Sequence, residues 1–254
     1  MTVIATARAG GSTGAAVLFV HGVGSTGAIW DYQIEALADR YRCFAVELRG
    51  NGVPKPEPPP DQITRQGFVD DVLAVADAAG AGRFHFVGCS LGGAVGFELW
   101  KRAPERVASL TFVASFAWYP EATAYVDRVI ANVEAAGSMD RFAHERAKLL
   151  GMPPGRRTDE TIAQMACKTV ASYCATTRAT WTGEFRDVLP AITVPTLVIC
   201  GEKDTVAPPT FSEEIAAGIK GAELHVLPQA GHVANADAPE AFNALLASFL
   251  SRVA

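Results

Sequence analysis

The sequence predicts a doubly wound α/β domain built on a mostly parallel sheet, and three observations carry that expectation. Short, continuous apolar runs recur along the chain, each bounded by Gly, Pro or charge. Amphipathic stretches with helical spacing lie between them. One long helical segment breaks the alternation in the second half. Short apolar runs suit strands that are buried on both faces, and strand–helix–strand order wraps helices over both sides of a sheet.

The clearest strand runs are Ala15–Val20, Cys43–Val46, Phe84–Val87, Leu110–Ala114 and Thr196–Cys200, with Leu224–Leu227 a more amphipathic sixth. Helices are expected over Ile29–Leu37, Gly67–Ala79, Gly92–Arg102, Phe211–Ala217 and Ala238–Leu250. Residues 116–187 hold helical patterns and no strand. The expected organisation is therefore a core, residues 1–115 and 188–254, with a helical cap, 116–187, inserted before the last strands. Ile162–Cys174 is the clearest cap helix, and the MPPG run at Met152–Gly155 should separate two others. Ligands of open α/β sheets bind at the carboxyl ends of the strands, which such a cap would cover. Pro54–Pro60 reads as a surface loop.

A chain of 254 residues can bury one sizeable core. Its formal net charge of -5 gives no electrostatic reason to expect nucleic acid or an anionic membrane surface as partner. No apolar run approaches the length of a membrane span, and the first residues lack a basic region leading into an apolar stretch. A cytoplasmic protein is expected. Cys43, Cys89, Cys167, Cys174 and Cys200 are odd in number and scattered, unlike a disulfide framework or a zinc site. Neither metal nor cofactor is expected, and the composition leaves the oligomeric state open.

The strongest chemical signal is Gly88-Cys89-Ser90-Leu91-Gly92-Gly93, directly after a strand run and opening a helix. A serine on a sharp strand-to-helix turn presents its hydroxyl above the sheet, and glycines two residues away on either side avoid collision. Serine needs a base to act as a nucleophile near neutral pH. Of five histidines, His85 and His225 fall inside strands, His144 on a cap helix, and His21 at the end of the first strong strand. His232 follows the last strand in Gln229-Ala230-Gly231-His232, at the sheet edge where Ser90 emerges. Asp204 ends Cys200-Gly201-Glu202-Lys203-Asp204 and suits the acid that orients the imidazole; Glu202 leaves the strand a step too early. An oxyanion hole needs two backbone N–H donors. Leu91, after the serine, supplies one, and Val23 in His21-Gly22-Val23-Gly24 supplies the other.

These stretches, with the Pro195–Asp204 run PTLVICGEKD, resemble the α/β-hydrolase superfamily in order and spacing over almost the whole chain. The Ala103–Val107 run and the Asn235–Asn243 tail are most similar to the 3-oxoadipate enol-lactonase and carboxylesterase group. The resemblance implies an α/β-hydrolase fold with Ser90 as nucleophile, His232 as base, Asp204 as its orienting acid, and Val23 and Leu91 as oxyanion donors. Three places depart from the family pattern. Glu47 replaces the usual aspartate of a D-x-R-G-x-G-x-S stretch. Lys148–Pro153 stands where a Trp-Phe-Pro run is common. Trp181-Thr182 stands near the place of an Arg-Asp step.

Trp30, Trp118, Tyr119 and Trp181 are candidate pocket aromatics. Among the cap cations Arg146, Lys148, Arg156, Arg157, Lys168 and Arg178, the first candidates to meet a substrate carboxylate are Lys148 and Arg178. The expected reaction is hydrolysis of a small carboxylic ester or lactone through an acyl-serine intermediate. A C–C bond hydrolase, lyase or perhydrolase on the same three residues is the alternative, and a slowly turning-over ligand receptor is a third reading.

Overall fold

The computed structural model describes residues 6–52, 58–149, 152 and 154–253. Seven strands form one sheet: β1 Thr6–Gly10, β2 Ala16–Val20, β3 Arg42–Glu47, β4 Phe84–Cys89, β5 Val107–Val113, β6 Thr196–Gly201 and β7 Glu223–Leu227. Their order across the sheet is β1-β3-β2-β4-β5-β6-β7. All neighbours run parallel except β1, which pairs antiparallel with β3. The six expected strands are present with ends shifted by one to three residues, and β1 is an addition at the edge.

Alternation along β2 shows how the two faces are covered. Val17 and Phe19 pack with Trp30, Leu37, Phe242 and Phe249, which come from α1 (Asp31–Leu37), the turn before it, and α10 (Pro239–Val253). Leu18 and Val20 point the other way, onto α2 (Arg65–Ala78) and α3 (Leu91–Arg102) through Phe68, Val72, Val95 and Phe97. A strand buried on both faces has no polar side, hence the unbroken AVLFV of β2.

Between β5 and β6 the chain forms α4 Ala122–Ala136, α5 Met139–Leu149, α6 Arg156–Ala166 and α7 Val170–Trp181. These helices share a separate apolar cluster that includes Val126, Val133, Phe142, Met165, Tyr173 and Trp181. The segment leaves and returns at one place, where Phe185 N–H donates to Ala117 O at 2.7 Å. The expected helix Ile162–Cys174 is instead split between α6 and α7. Thr169 takes an extended conformation, and its side chain accepts from Ser172 N–H, capping α7 and ending any continuous helix. The MPPG run lies between α5 and α6 as expected, with Pro153 outside the described residues. Residues 54–57 of the expected proline-rich loop also lie outside them. Two further helices, α8 Pro209–Gly218 and the short α9 Ala234–Asp237, flank β7. Among the described residues no helix is long and apolar enough to cross a membrane.

His85 of β4 is buried, and its Nδ1 bonds the Ser109 hydroxyl at 2.9 Å. Burial, aided by Arg83, pushes its pKa down from 6.5 to about 4. The unfolded chain therefore takes up a proton below pH 6.5 that the folded chain refuses, so stability is full above 6.5 and falls toward pH 4. From pH 7 to pH 5 this one group should remove about 2 kcal/mol. Urea unfolding of His85→Gln is expected to lose about that much less than the parent over the same interval. An equal pH dependence in the two proteins would contradict the assignment.

Candidate active site

β4 ends at the carboxyl edge of the sheet and turns into α3 at a single residue. Ser90 has φ 54° and ψ −106°, a strained conformation for a residue with a side chain. Two close backbone approaches make the turn possible. A Cβ on Gly88 would lie 2.3 Å from Gly92 O, and one on Gly92 would lie 2.4 Å from Val20 O. Ser90 N–H donates to Val113 O at 2.9 Å, which ties the elbow to the neighbouring strand. The serine side chain is thereby lifted clear of the sheet at the start of a helix, where backbone N–H groups have no partner within the helix. Leu91 N–H is one of those groups.

The loop after β2 lies against this elbow. A Cβ on Gly22 would meet Ser90 Cβ at 3.5 Å. Ser25 N–H closes the turn onto Gly22 O at 3.2 Å, leaving Val23 and Gly24 as its central residues. Gly24 has φ 80°, the value a type II turn requires at its third position. A side chain there would also strike Met165 of α6, 2.8 Å away.

Asp204 and His232 come from the loops after β6 and β7. His232 Nδ1 bonds Asp204 Oδ2 at 2.8 Å. The other carboxylate oxygen, Oδ1, accepts from Val206 N–H at 2.8 Å and Ala207 N–H at 2.9 Å. The aspartate side chain is fully buried and the imidazole 22% exposed, so the carboxylate is fixed while the ring borders the same chamber as Ser90. Glu202 points to the surface and accepts from Gln229 N–H at 3.0 Å, outside this arrangement. The remaining histidines stand apart. His21 is fully buried, with Nδ1 at 2.9 Å from Gly22 O and Nε2 accepting from Leu48 N–H at 3.3 Å. Burial, then the Lys168 ammonium, pushes its pKa down to about 3, so it stays neutral. His144 is exposed, and His225 on β7 is half-buried.

Ser90, Val23 and His232 line one small chamber of about 100 Å³. Helices α4 to α7 supply further lining, with Tyr125 of α4, Arg146 of α5, Met165 of α6, and Tyr173, Thr177 and Trp181 of α7. His232 also borders a wider cleft of about 490 Å³ on the outside, with Arg157, Lys203 and Gln229. The structure brings Trp181 to the chamber but not the other expected aromatics. Trp30 is fully buried in the core, with ring centroids 5.1 Å from Phe19 and 6.2 Å from Phe242. Trp118 donates from Nε1 to Glu214 at 3.2 Å, with the Arg186 guanidinium over its ring. Tyr119 packs against Trp181 and Phe211 behind the chamber wall.

The two leading candidate cations are also elsewhere. Lys148 is exposed on α5, and Arg178 is exposed beside Arg65 and Thr182 in a shallow surface depression. Arg146 takes the chamber position instead. Its Nη2 donates to the Tyr125 hydroxyl at 3.5 Å, and among the described residues no carboxylate pairs with it. The signal was in the helical spacing. Met139, Phe142, Ala143 and Ala147 form the buried stripe of α5, and Arg146 falls within it, whereas Lys148 is turned away. The Tyr173 phenol beside it is pushed up to about 12 by burial and remains a donor.

A seven-stranded, mostly parallel sheet with a strained serine elbow and an Asp–His pair beyond the next strands defines an α/β hydrolase. The chain matches the Alpha/beta hydrolase family over residues 17–245 and belongs to that family. It is 33% identical to "Putative carbamate hydrolase RutD" of Variovorax paradoxus, covering 96% of this chain and 94% of that protein. It is 28% identical to 3-oxoadipate enol-lactonase 1 of Acinetobacter baylyi, covering 94% of this chain and 89% of that one. Among solved structures, a hydrolase from Pseudomonas aeruginosa shares 33% identity and a TM-score of 0.86, over 97% of this chain and 94% of the other. A thermophilic esterase from Thermogutta terrifontis, solved with malate bound, shares 25% identity and a TM-score of 0.83, over 98% and 93%.

The loops that carry Asp204 and His232 meet at Gly201, where a Cβ would lie 2.2 Å from Gly231 O and 2.4 Å from Ala230 O. Gly201→Ala should therefore push the two loops apart and destabilise the fold by about 1–3 kcal/mol. At Gly82 a Cβ meets nothing within 4 Å, so Gly82→Ala is the control and should cost far less. Denaturant midpoints of the two variants check this; equal midpoints would contradict the packing.

Proposed function

We propose that the chain hydrolyses a small carboxylic ester or lactone through an acyl-serine intermediate, with Ser90, His232 and Asp204 as its catalytic residues. The observation that carries this reading is the Asp204–His232 bond at 2.8 Å, set in the same chamber wall as the strained Ser90. His232 takes the Ser90 proton as the hydroxyl attacks the carbonyl carbon. Val23 and Leu91 N–H hold the oxygen of the tetrahedral intermediate, whose collapse breaks the C–O bond to the leaving group. His232 gives its proton to that group, then activates the water that releases the acid. No part of this sequence draws on a metal or cofactor. In this reading residues 116–187 are the cap, and they set the shape of the acyl side.

Arg146 and Tyr125, with the Tyr173 phenol nearby, give that side a cationic, donor-rich end facing the nucleophile. A half-buried guanidinium with no acidic partner among the described residues suits an anion brought by the substrate. The proposed substrate is accordingly an ester or lactone whose acid part carries a carboxylate a few bonds from the scissile carbonyl. The names of the two curated relatives divide between a carbamate and an enol lactone. A carbamate therefore belongs in the substrate panel beside esters and lactones.

Ser90→Ala should lower kcat by about three orders of magnitude or more, and Asp204→Asn by about 10⁴ because the wrong imidazole tautomer is favoured. Glu202→Gln should be mild. A p-nitrophenyl ester and lactone panel reads all three; a Ser90→Ala protein with a tenth of the parent rate would refute the nucleophile.

For the carboxylate, Arg146→Met should cost about 10- to 150-fold in kcat/KM on a half-ester of a short dicarboxylic acid. It should change little on the matching neutral diester. Lys148→Ala and Arg178→Ala should leave both substrates unaffected. A parent that prefers the neutral diester would make the chamber an apolar esterase pocket.

A further inference from the structure

Lys168 lies in the break between α6 and α7, and it is only 4% exposed. A lysine that leaves water needs strong compensating partners. Its ammonium donates to Ser25 O at 2.9 Å and to Asn51 O at 2.7 Å, two carbonyls on two different core loops. Ser25 is the last residue of the turn that presents Val23. Four residues before Lys168, Gln164 Oε1 accepts from Thr26 N–H at 3.0 Å. The cap therefore grips both polar groups of a single peptide unit, Ser25 O and Thr26 N–H, directly after the turn.

The core holds the same loop from the opposite side. Glu47, at the end of β3, accepts from Gly27 N–H through Oε1 at 2.8 Å. Burial raises the Glu47 pKa, while the Gly27 N–H and the Lys168 charge act against that rise. His21 lies beneath the turn as a neutral ring. The residues that stand out in the sequence as a departure, Glu47, and as one cap cation among many, Lys168, thus bracket a single loop.

We propose that Lys168 is a positioning residue for the oxyanion hole: by holding Ser25 O it keeps the Gly22–Ser25 turn, and so Val23 N–H, aimed at the developing oxyanion. It reaches no substrate atom and acts through the loop. The inference rests on the acyl-serine reading above. Loss of one oxyanion donor costs about 10²–10³ in kcat in a serine hydrolase, and a donor that is loosened rather than removed should cost less. Such a donor is used more in the transition state than in the ground state, so the loss belongs to kcat.

The test compares Lys168→Met, Lys168→Gln and Lys168→Arg with the parent on one p-nitrophenyl ester, with active sites counted by organophosphate titration. Each protein is also assayed for inhibition by a trifluoromethyl ketone, whose adduct with serine carries the same oxyanion. Lys168→Met is expected to lose about 10- to 100-fold in kcat per titrated site with KM within threefold. The ketone should weaken by the same factor as kcat/KM, and Lys168→Arg, which keeps donors and charge, should recover most of the loss. Unchanged kcat per site in Lys168→Met, or a lower kcat/KM with ketone affinity intact, overturns the proposal. Should the methionine variant not fold, Lys168→Gln is judged by the same parallel: proportional losses support the proposal, and no loss or disproportionate losses overturn it. A parent that neither reacts with the organophosphate nor binds the ketone would instead refute the acyl-serine reading itself.

Discussion

Ser90 holds φ 54° and ψ −106° at the carboxyl end of the central strand, and the chain on either side is built around that strained residue. Left alone, such a conformation costs of order 1–3 kcal/mol and would relax. It persists because β4 is hydrogen-bonded on both sides, to β2 and β5, and because α3 packs directly behind it. The Gly92–Val20 and Gly88–Gly92 approaches then leave the backbone no room to unwind. Every other part of the site is placed by reference to this point. The Gly22–Ser25 turn rests on the elbow, and the loops after β6 and β7 bring Asp204 and His232 to the same edge.

The site is assembled from two bodies of side chains with different duties. The sheet loops carry the groups proposed to make and break bonds, held by backbone contacts that tolerate little change. The segment from α4 to α7 carries the groups proposed to choose the substrate and steady the loop: Tyr125, Arg146, Thr177 and Trp181 in the chamber wall, Gln164 and Lys168 on the loop itself. Charge is distributed to match. The Asp204 carboxylate is buried against backbone N–H groups and the imidazole. Lys168 is buried against carbonyls, with the Glu47 carboxylate across the turn. Two cations thus serve different places, Lys168 against the Gly22–Ser25 turn and Arg146 in the chamber wall.

Much of this was legible in the sequence because it depends on residue type at fixed spacing. The apolar runs marked six of seven strands, and the glycines around Ser90 marked the elbow, since no other residue fits there. β1 was not legible: TARAG has neither an apolar run nor aromatic residues, and it is a strand because it completes the hydrogen bonding of the β3 edge. The chamber wall was only partly legible. Arg146 and Lys148 are two residues apart, roughly 200° around a helix, so choosing between them requires knowing which face of α5 is buried. Arg178 lies one position beyond Thr177, which suffices to turn it out of the chamber. Trp30 was misplaced for a related reason. A large aromatic near a site is equally suited to packing, and here Phe19 and Phe242 claim it. Lys168 carries no sequence signal of its own, because the Ser25 and Asn51 groups it holds are backbone carbonyls.

The central claim is that Ser90 is the nucleophile and that the surrounding structure exists to present and activate it. Covalent labelling tests this most directly: incubate the protein with diisopropyl fluorophosphate, follow esterase activity, and locate the added mass by peptide mass spectrometry. The account predicts one adduct per chain, on Ser90, formed in step with the loss of activity. Full activity after prolonged exposure, or an inactivating adduct on another residue with Ser90 unmodified, would contradict it.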